Sequence, residues 1–161
     1  MWNNLSINEL FDTIKEVVDM GKEVTFTPNG KSMLPTLRGG KDEVVVAKPK
    51  FPLKKYDMPI YLHESGGAVL HRVIAACTKN GNTTYVLRGD NTYQNEIGIT
   101  EEQIIAVVTR FKKGDKWYTT DSNGFKIYSA FWCGIYPLRK ALRFLFRLPI
   151  RVIRKIKNIL K

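Results

Sequence analysis

Glu23-Val24-Thr25-Phe26-Thr27-Pro28-Asn29-Gly30-Lys31-Ser32-Met33-Leu34-Pro35-Thr36-Leu37 is the stretch from which the rest of the chain can be read. Its first five residues alternate as in a half-buried strand, and then the pattern breaks. Gly30 and Pro35 bracket Ser32 and predict a tightly fixed turn that ends at Gly39-Gly40. A strand ending this way holds a hydroxyl rigidly toward solvent. Position alone leaves two readings of Ser32. It caps a helix by accepting from orphan backbone N–H groups, or it is a nucleophile that needs a base within hydrogen-bond reach. Gly30-Lys31-Ser32 also ends like a phosphate-binding loop, but that motif requires a glycine where Thr25 stands, so a phosphate cradle is excluded.

Outward from this turn, the region from Lys22 to about Thr120 reads as strands. The expected strands cover 22–27, 43–48, 58–63, 67–76, 83–88, 103–112 and 116–120, rich in Val, Ile and Tyr and separated by Gly, Asn, Asp and Pro clusters. Lys79-Asn80-Gly81-Asn82 predicts a hairpin turn. No long helical pattern interrupts the region, so the expected fold is mainly β, a coiled antiparallel domain over 22–125. Before it, Ser6-Ile7-Asn8-Glu9 is a capping box, and apolar residues at helical spacing up to Val18, with Gly21 as stop, predict a short amphipathic helix within 1–21.

The net charge of +11 is unevenly placed. From Lys126 to Lys161 there are ten basic residues and no acidic ones, so the first 125 residues carry only +1. That argues against a basic groove across the body, and no nucleic-acid partner is expected. Leu138, Leu142, Leu145, Leu148, Val152, Ile156 and Ile159 form an apolar stripe, beside a ridge of Arg139, Arg143, Arg147, Arg151 and Lys155. With Phe131 and Trp132 at its approach and a kink expected at Pro149, segment 126–161 reads as a basic amphipathic membrane-surface tail. The alternative is a helix packed on the body with its charged face in water. No apolar run reaches the ~20 residues of a spanning helix, and the start of the sequence lacks the apolar core of a signal peptide. Arginine-rich tails favour an anionic, cytoplasmic leaflet. Cys77 and Cys133, 56 residues apart, form no metal or disulfide framework and are expected to be small buried residues; no metal or cofactor is called for.

In Ala68-Val69-Leu70-His71-Arg72-Val73-Ile74, strand alternation puts Val69, His71 and Val73 on one face. A lone histidine there is usually a hydrogen-bonded structural residue. Beside Ser32 it becomes a candidate base, since a neutral imidazole takes a serine proton near pH 7 and returns it to a leaving amine. His63, at a strand end before the turn Glu64-Ser65-Gly66-Gly67, ranks second. Arg88-Gly89-Asp90-Asn91 is by default a turn. Asp90, or alternatively Glu96, is the acid that orients the imidazole and supports its cation; spacing does not choose between them.

Ser32-Met33-Leu34-Pro35-Thr36-Leu37, Asp42-Glu43-Val44-Val45-Val46, His71-Arg72-Val73-Ile74 and Arg88-Gly89-Asp90-Asn91 together resemble, in order and spacing, the signal-peptidase superfamily, which also holds the self-cleaving SOS repressors. The resemblance spans roughly residues 22–112. It implies a coiled β fold with Ser32 as nucleophile, and His71 where most bacterial members and the repressors have a lysine. In this respect the chain resembles the archaeal and endoplasmic-reticulum branch. It departs from the bacterial pattern in having Gly30 where a serine helps bind the oxyanion, so that backbone N–H groups, including that of Ser32, would take over. Lys31 stands where repressors tend to carry an acid, and the basic tail, not an N-terminal anchor, is expected to meet the membrane.

Three functions follow as expectations. The first is a membrane-associated serine endopeptidase acting on a leader, signal peptide or preprotein. The second is an inactive member of the same fold that binds peptides. The third is a self-cleaving regulator, which needs a DNA-reading unit before the peptidase, where only 31 residues precede Ser32, and an Ala-Gly or Cys-Gly cleavage pair upstream, whereas Cys133-Gly134 lies downstream.

Overall fold

The structure is a computed structural model that describes residues 7–64 and 66–145, with only the backbone of 7–10. The capping residues Ser6 and Glu9, the Ser65 turn position and the tail from 146 to 161, including Pro149 and the stripe from Leu148 onward, lie outside the described residues and side chains.

The protein is mainly β, with curled antiparallel sheets and a helix at each end. Helix α1 (Ile7–Asp19) buries Ile14 and Val18. It ends at Gly21 (φ 77°), where Gly21 N–H reaches Val18 O and Lys22 N–H reaches Val17 O, the paired closure of a glycine C-cap. The larger sheet runs β1 (Val24–Phe26), β2 (Glu43–Ala47), β8 (Ile104–Lys113), β3 (Pro59–His63), β4 (Gly67–Leu70), with β9 (Lys116–Thr119) paired to the far part of β8. Register shifts at Val45/Val46 and Ile60/Tyr61 bend it. The second sheet is β5 (Arg72–Lys79), β6 (Asn82–Arg88) and β7 (Glu96–Thr100). Asn80 and Gly81 both have positive φ at the predicted β5–β6 hairpin, as a tight two-residue turn requires.

Three expectations need correction. The single strand over 67–76 is two strands, because β4 pairs with β3 in one sheet and β5 with β6 in the other; His71 is the residue between them. Alternation is blind to such a crossing, since both strands keep the same period. Strand β7 was not expected: Glu96-Ile97-Gly98-Ile99-Thr100 carries a glycine and only Ile99 is buried. Cys77 is exposed rather than buried, on the outer half of β5, and Cys133 is half-buried.

One core joins α1 to Met33, Leu37, Val44, Val46, Ile60 and Phe111, so it lies beneath the Ser32 turn. The other gathers Tyr61, Val73, Tyr85, Leu87 and Ile99 between the two sheets. Helix α2 (Asn123–Gly134), capped by Ser122 accepting from Phe125 N–H, buries Phe125 and Ser129 against the body. Helical conformation resumes over 136–145. Segment 126–161 therefore begins inside a helix that is docked on the β body.

Candidate active site

Residues 32–36 form consecutive turns, not a helix start, so Ser32 has no helix to cap. The turn is held from behind. Gly30 has φ 94°, Gly40 N–H donates to Pro28 O (2.8 Å), and a side chain on Gly39 would begin 2.0 Å from the Gly30 carbonyl oxygen. Met33 and Leu37 anchor it in the core. Ser32 is half-buried and lines a cavity of about 230 Å³ with Gly30, Met33, Gly39, Ala68 and Leu70. Among the described residues no hydrogen bond engages its hydroxyl or its backbone N–H, so the hydroxyl is not bonded to the His71 imidazole in this structure.

The loop after β6 presses on this turn. Asn91 N–H donates to Ser32 O (2.7 Å) and Asn91 Nδ2 to Lys31 O (3.2 Å). Gly89 sits in the contact. A Cβ there would lie 2.7 Å from Ser32 O and 2.9 Å from His71 Nε2, closer than real Cβ atoms approach other groups. Only a bare backbone fits between the serine turn and the imidazole. His71 Nε2 and the Ser32 carbonyl are thus separated by less than the sum of those two distances.

His71 is buried at the crossing from β4 to β5. Its Nδ1 lies 3.0 Å from Glu96 Oε1 and 3.1 Å from the Tyr61 hydroxyl, which itself donates to Glu96 Oε2. A carboxylate accepts only, so Nδ1 carries the proton and Nε2 faces Gly89 and the serine turn as an acceptor. Burial lowers the His71 pKa to about 4, against the pull of Asp90, which keeps the ring neutral at physiological pH. Burial also raises the Glu96 carboxyl above its ordinary value. His63 stands on the outer side of Glu96, its Nε2 3.9 Å from Oε2.

The two acids left open by spacing have separate surroundings. Glu96, at the start of the unexpected strand β7, meets the imidazole. Asp90 instead forms a buried pair with Arg72, through Nε–Oδ1 at 2.8 Å and Nη2–Oδ2 at 2.7 Å. Thr36 donates to the same carboxylate, and Arg72 Nη1 donates to Ser129 Oγ (2.8 Å) in α2. Trp132 Nε1 and Arg139 Nη2 donate to the Asp90 carbonyl. Asp90 thereby ties the serine turn, β5 and the helices together, one position from Gly89. Tyr61 is the residue that sequence reasoning missed; a tyrosine in an apolar strand carries no sign of a polar partner. Among the described residues no cluster of His, Cys, Asp and Glu suits a metal ion.

No model of a known protein family matches the sequence. No curated protein matches it either.

Proposed function

We propose that the chain is a membrane-associated serine endopeptidase of the signal-peptidase type, cutting a leader or signal peptide with Ser32, His71 and Glu96. The observation that carries this reading is the relay Glu96–His71 Nδ1, with Nε2 turned across the bare Gly89 toward the serine turn. Ser32 Oγ attacks the scissile carbonyl as its proton passes to Nε2. The new O⁻ meets the Ser32 N–H, and Glu96 supports the imidazolium. Nε2–H then protonates the leaving amine, and water, deprotonated by the same nitrogen, hydrolyses the acyl-serine. The substrate lies extended along β4, the last strand of its sheet, whose residues Ala68, Val69 and Leu70 line the cavity. The cavity's modest volume of about 230 Å³, closed by Met33, Leu37 and Leu70, favours a small side chain beside the cut.

Support for membrane docking comes from the outer side of the terminal helices. Ile127 (71% exposed), Phe131 (63%), Leu138 (60%), Leu142 and Leu145 fall on one face at helical spacing. That face suits the apolar boundary of a leaflet, and the excess of basic residues in segment 126–161 favours an anionic one, the cytoplasmic by its arginines. Among the described residues no helix is long and apolar enough to cross a membrane.

The test is labelling with a serine-reactive fluorophosphonate on wild type, Ser32→Ala and His71→Ala, with and without phosphatidylglycerol vesicles. Labelling of wild type alone, stronger on vesicles, is expected. Absence of labelling in every condition would favour a peptide-binding member of the fold, for which the open edge of β4 is the supporting feature.

A further inference from the structure

Beyond the Asn91 side of the serine turn lies a groove of about 1000 Å³, between residues 91–94 and the 136–145 helix. Its walls include Tyr93, Tyr136 and Phe144, with Lys140 and Arg143 among them, and no acidic side chain lines it. The floor is fixed: Tyr136 donates to the Tyr93 carbonyl (2.9 Å), the two rings stack at 6.1 Å, and Arg139 holds the helix to the Asp90 carbonyl. Arg143 stacks on Tyr93 with its guanidinium carbon 4.4 Å from the ring centre. Neither Lys140 nor Arg143 is paired with a carboxylate among the described residues.

Asn91 belongs to both sites. One side of it is bonded to Ser32 and Lys31, and the other lines the groove. A peptide whose scissile carbonyl meets Ser32 sends one arm along β4 past the small cavity. The other arm crosses Asn91, which borders both, and enters the groove. Aromatic walls receive apolar side chains there, and two cations without carboxylate partners attract negative charge.

We infer that this groove is a second substrate subsite, which takes an extended peptide segment carrying acidic residues interspersed with apolar ones. The inference rests on the peptidase reading for its location beside Ser32, but it concerns binding and is measurable without turnover. The groove lies on a different side of the 136–145 helix from the exposed Leu138, Leu142 and Leu145, so lipid docking leaves it free.

The experiment uses the full chain as Ser32→Ala and short peptides with a central alanine, tagged with an uncharged fluorophore. Each carries Asp-Phe-Asp or Lys-Phe-Lys on one or the other side of the alanine. Fluorescence anisotropy should show the acidic peptide of one polarity binding about tenfold tighter than its lysine counterpart. Lys140→Glu with Arg143→Glu should invert that preference, and the Lys140→Gln, Arg143→Gln protein should fall between. Equal affinity for both peptides, or a preference that charge reversal leaves intact, overturns the inference. So does charge reversal that abolishes binding to phosphatidylglycerol vesicles while leaving the peptide preference unchanged, because the cations would then serve lipid. A wild-type chain that shows the preference but cleaves no acidic peptide would sustain the subsite and remove the peptidase reading.

Discussion

Replacing the two candidate acids one at a time separates their roles. Asp90→Asn keeps the volume but removes the charge that answers Arg72, and both side chains of that pair are almost wholly inaccessible. Leaving one member of a buried pair uncompensated costs about 3–5 kcal/mol. That is a large part of the ~5–15 kcal/mol that usually holds a domain together. For a chain of this size, each kcal/mol shifts Tm by about 2–4 °C, so a fall of roughly 10 °C is expected. Glu96→Gln is different. Its side chain is partly exposed, and losing its hydrogen bonds costs about 1 kcal/mol. An amide nitrogen set against Nδ1, however, donates to it and holds the proton on Nε2, the nitrogen that accepts from Ser32 in the proposed mechanism. The wrong tautomer lowers kcat by up to about 10⁴-fold, about 5 kcal/mol of barrier. Calorimetry and peptide cleavage on the same preparations decide the matter. An Asp90→Asn protein with unchanged Tm and no activity, beside an active Glu96→Gln protein, would refute the assignment.

Further outcomes follow from the same geometry. Gly89→Ala should fold, yet push the serine turn and the imidazole apart; a displacement near 1 Å predicts about a 10²-fold loss in kcat, read by steady-state kinetics. Tyr61→Phe removes the hydroxyl that braces Glu96 and should lower kcat about tenfold with KM little changed, a split that a general packing defect would not give. The pH profile of kcat/KM should be flat from about pH 6 to 8 and fall toward acid as the Glu96 carboxylate, raised above its ordinary value by burial, and the imidazole, near 4, take up protons. Because the His71 pKa lies below the 6.5 of an ordinary imidazole, the unfolded chain takes the proton first. The His71 contribution to stability is therefore present above about pH 6.5 and lost as pH falls toward 4, a dependence that denaturant titration should find reduced in His71→Gln.

Local signals in the chain were reliable where one residue type has one physical use. Gly21 and the Asn80-Gly81 pair marked a helix end and a hairpin because those backbones need positive φ. Val-, Ile- and Tyr-rich runs between turn clusters located β2, β3, β6 and β8 because each is packed against a core. Alternation ran through His71 without showing the change of sheet, and the sparsely buried β7 gave no pattern to find.

The sequence by itself determined the class of fold, the turn that carries Ser32, and the short set of polar residues from which a site could be built. Hydrophobic period, turn chemistry and charge are local properties, and a single chain displays them. Only the tertiary structure decided which acid meets the imidazole. Asp90 lies nearer His71 in sequence, but β5 places Arg72 against it, while the return of β7 beside β6 brings Glu96 to Nδ1. It also decided why residue 89 is glycine, since the need for a bare backbone arises only when the serine turn and the imidazole close on it from two sides. Pairing between distant segments is set by packing of the whole core, and no stretch of sequence carries it alone.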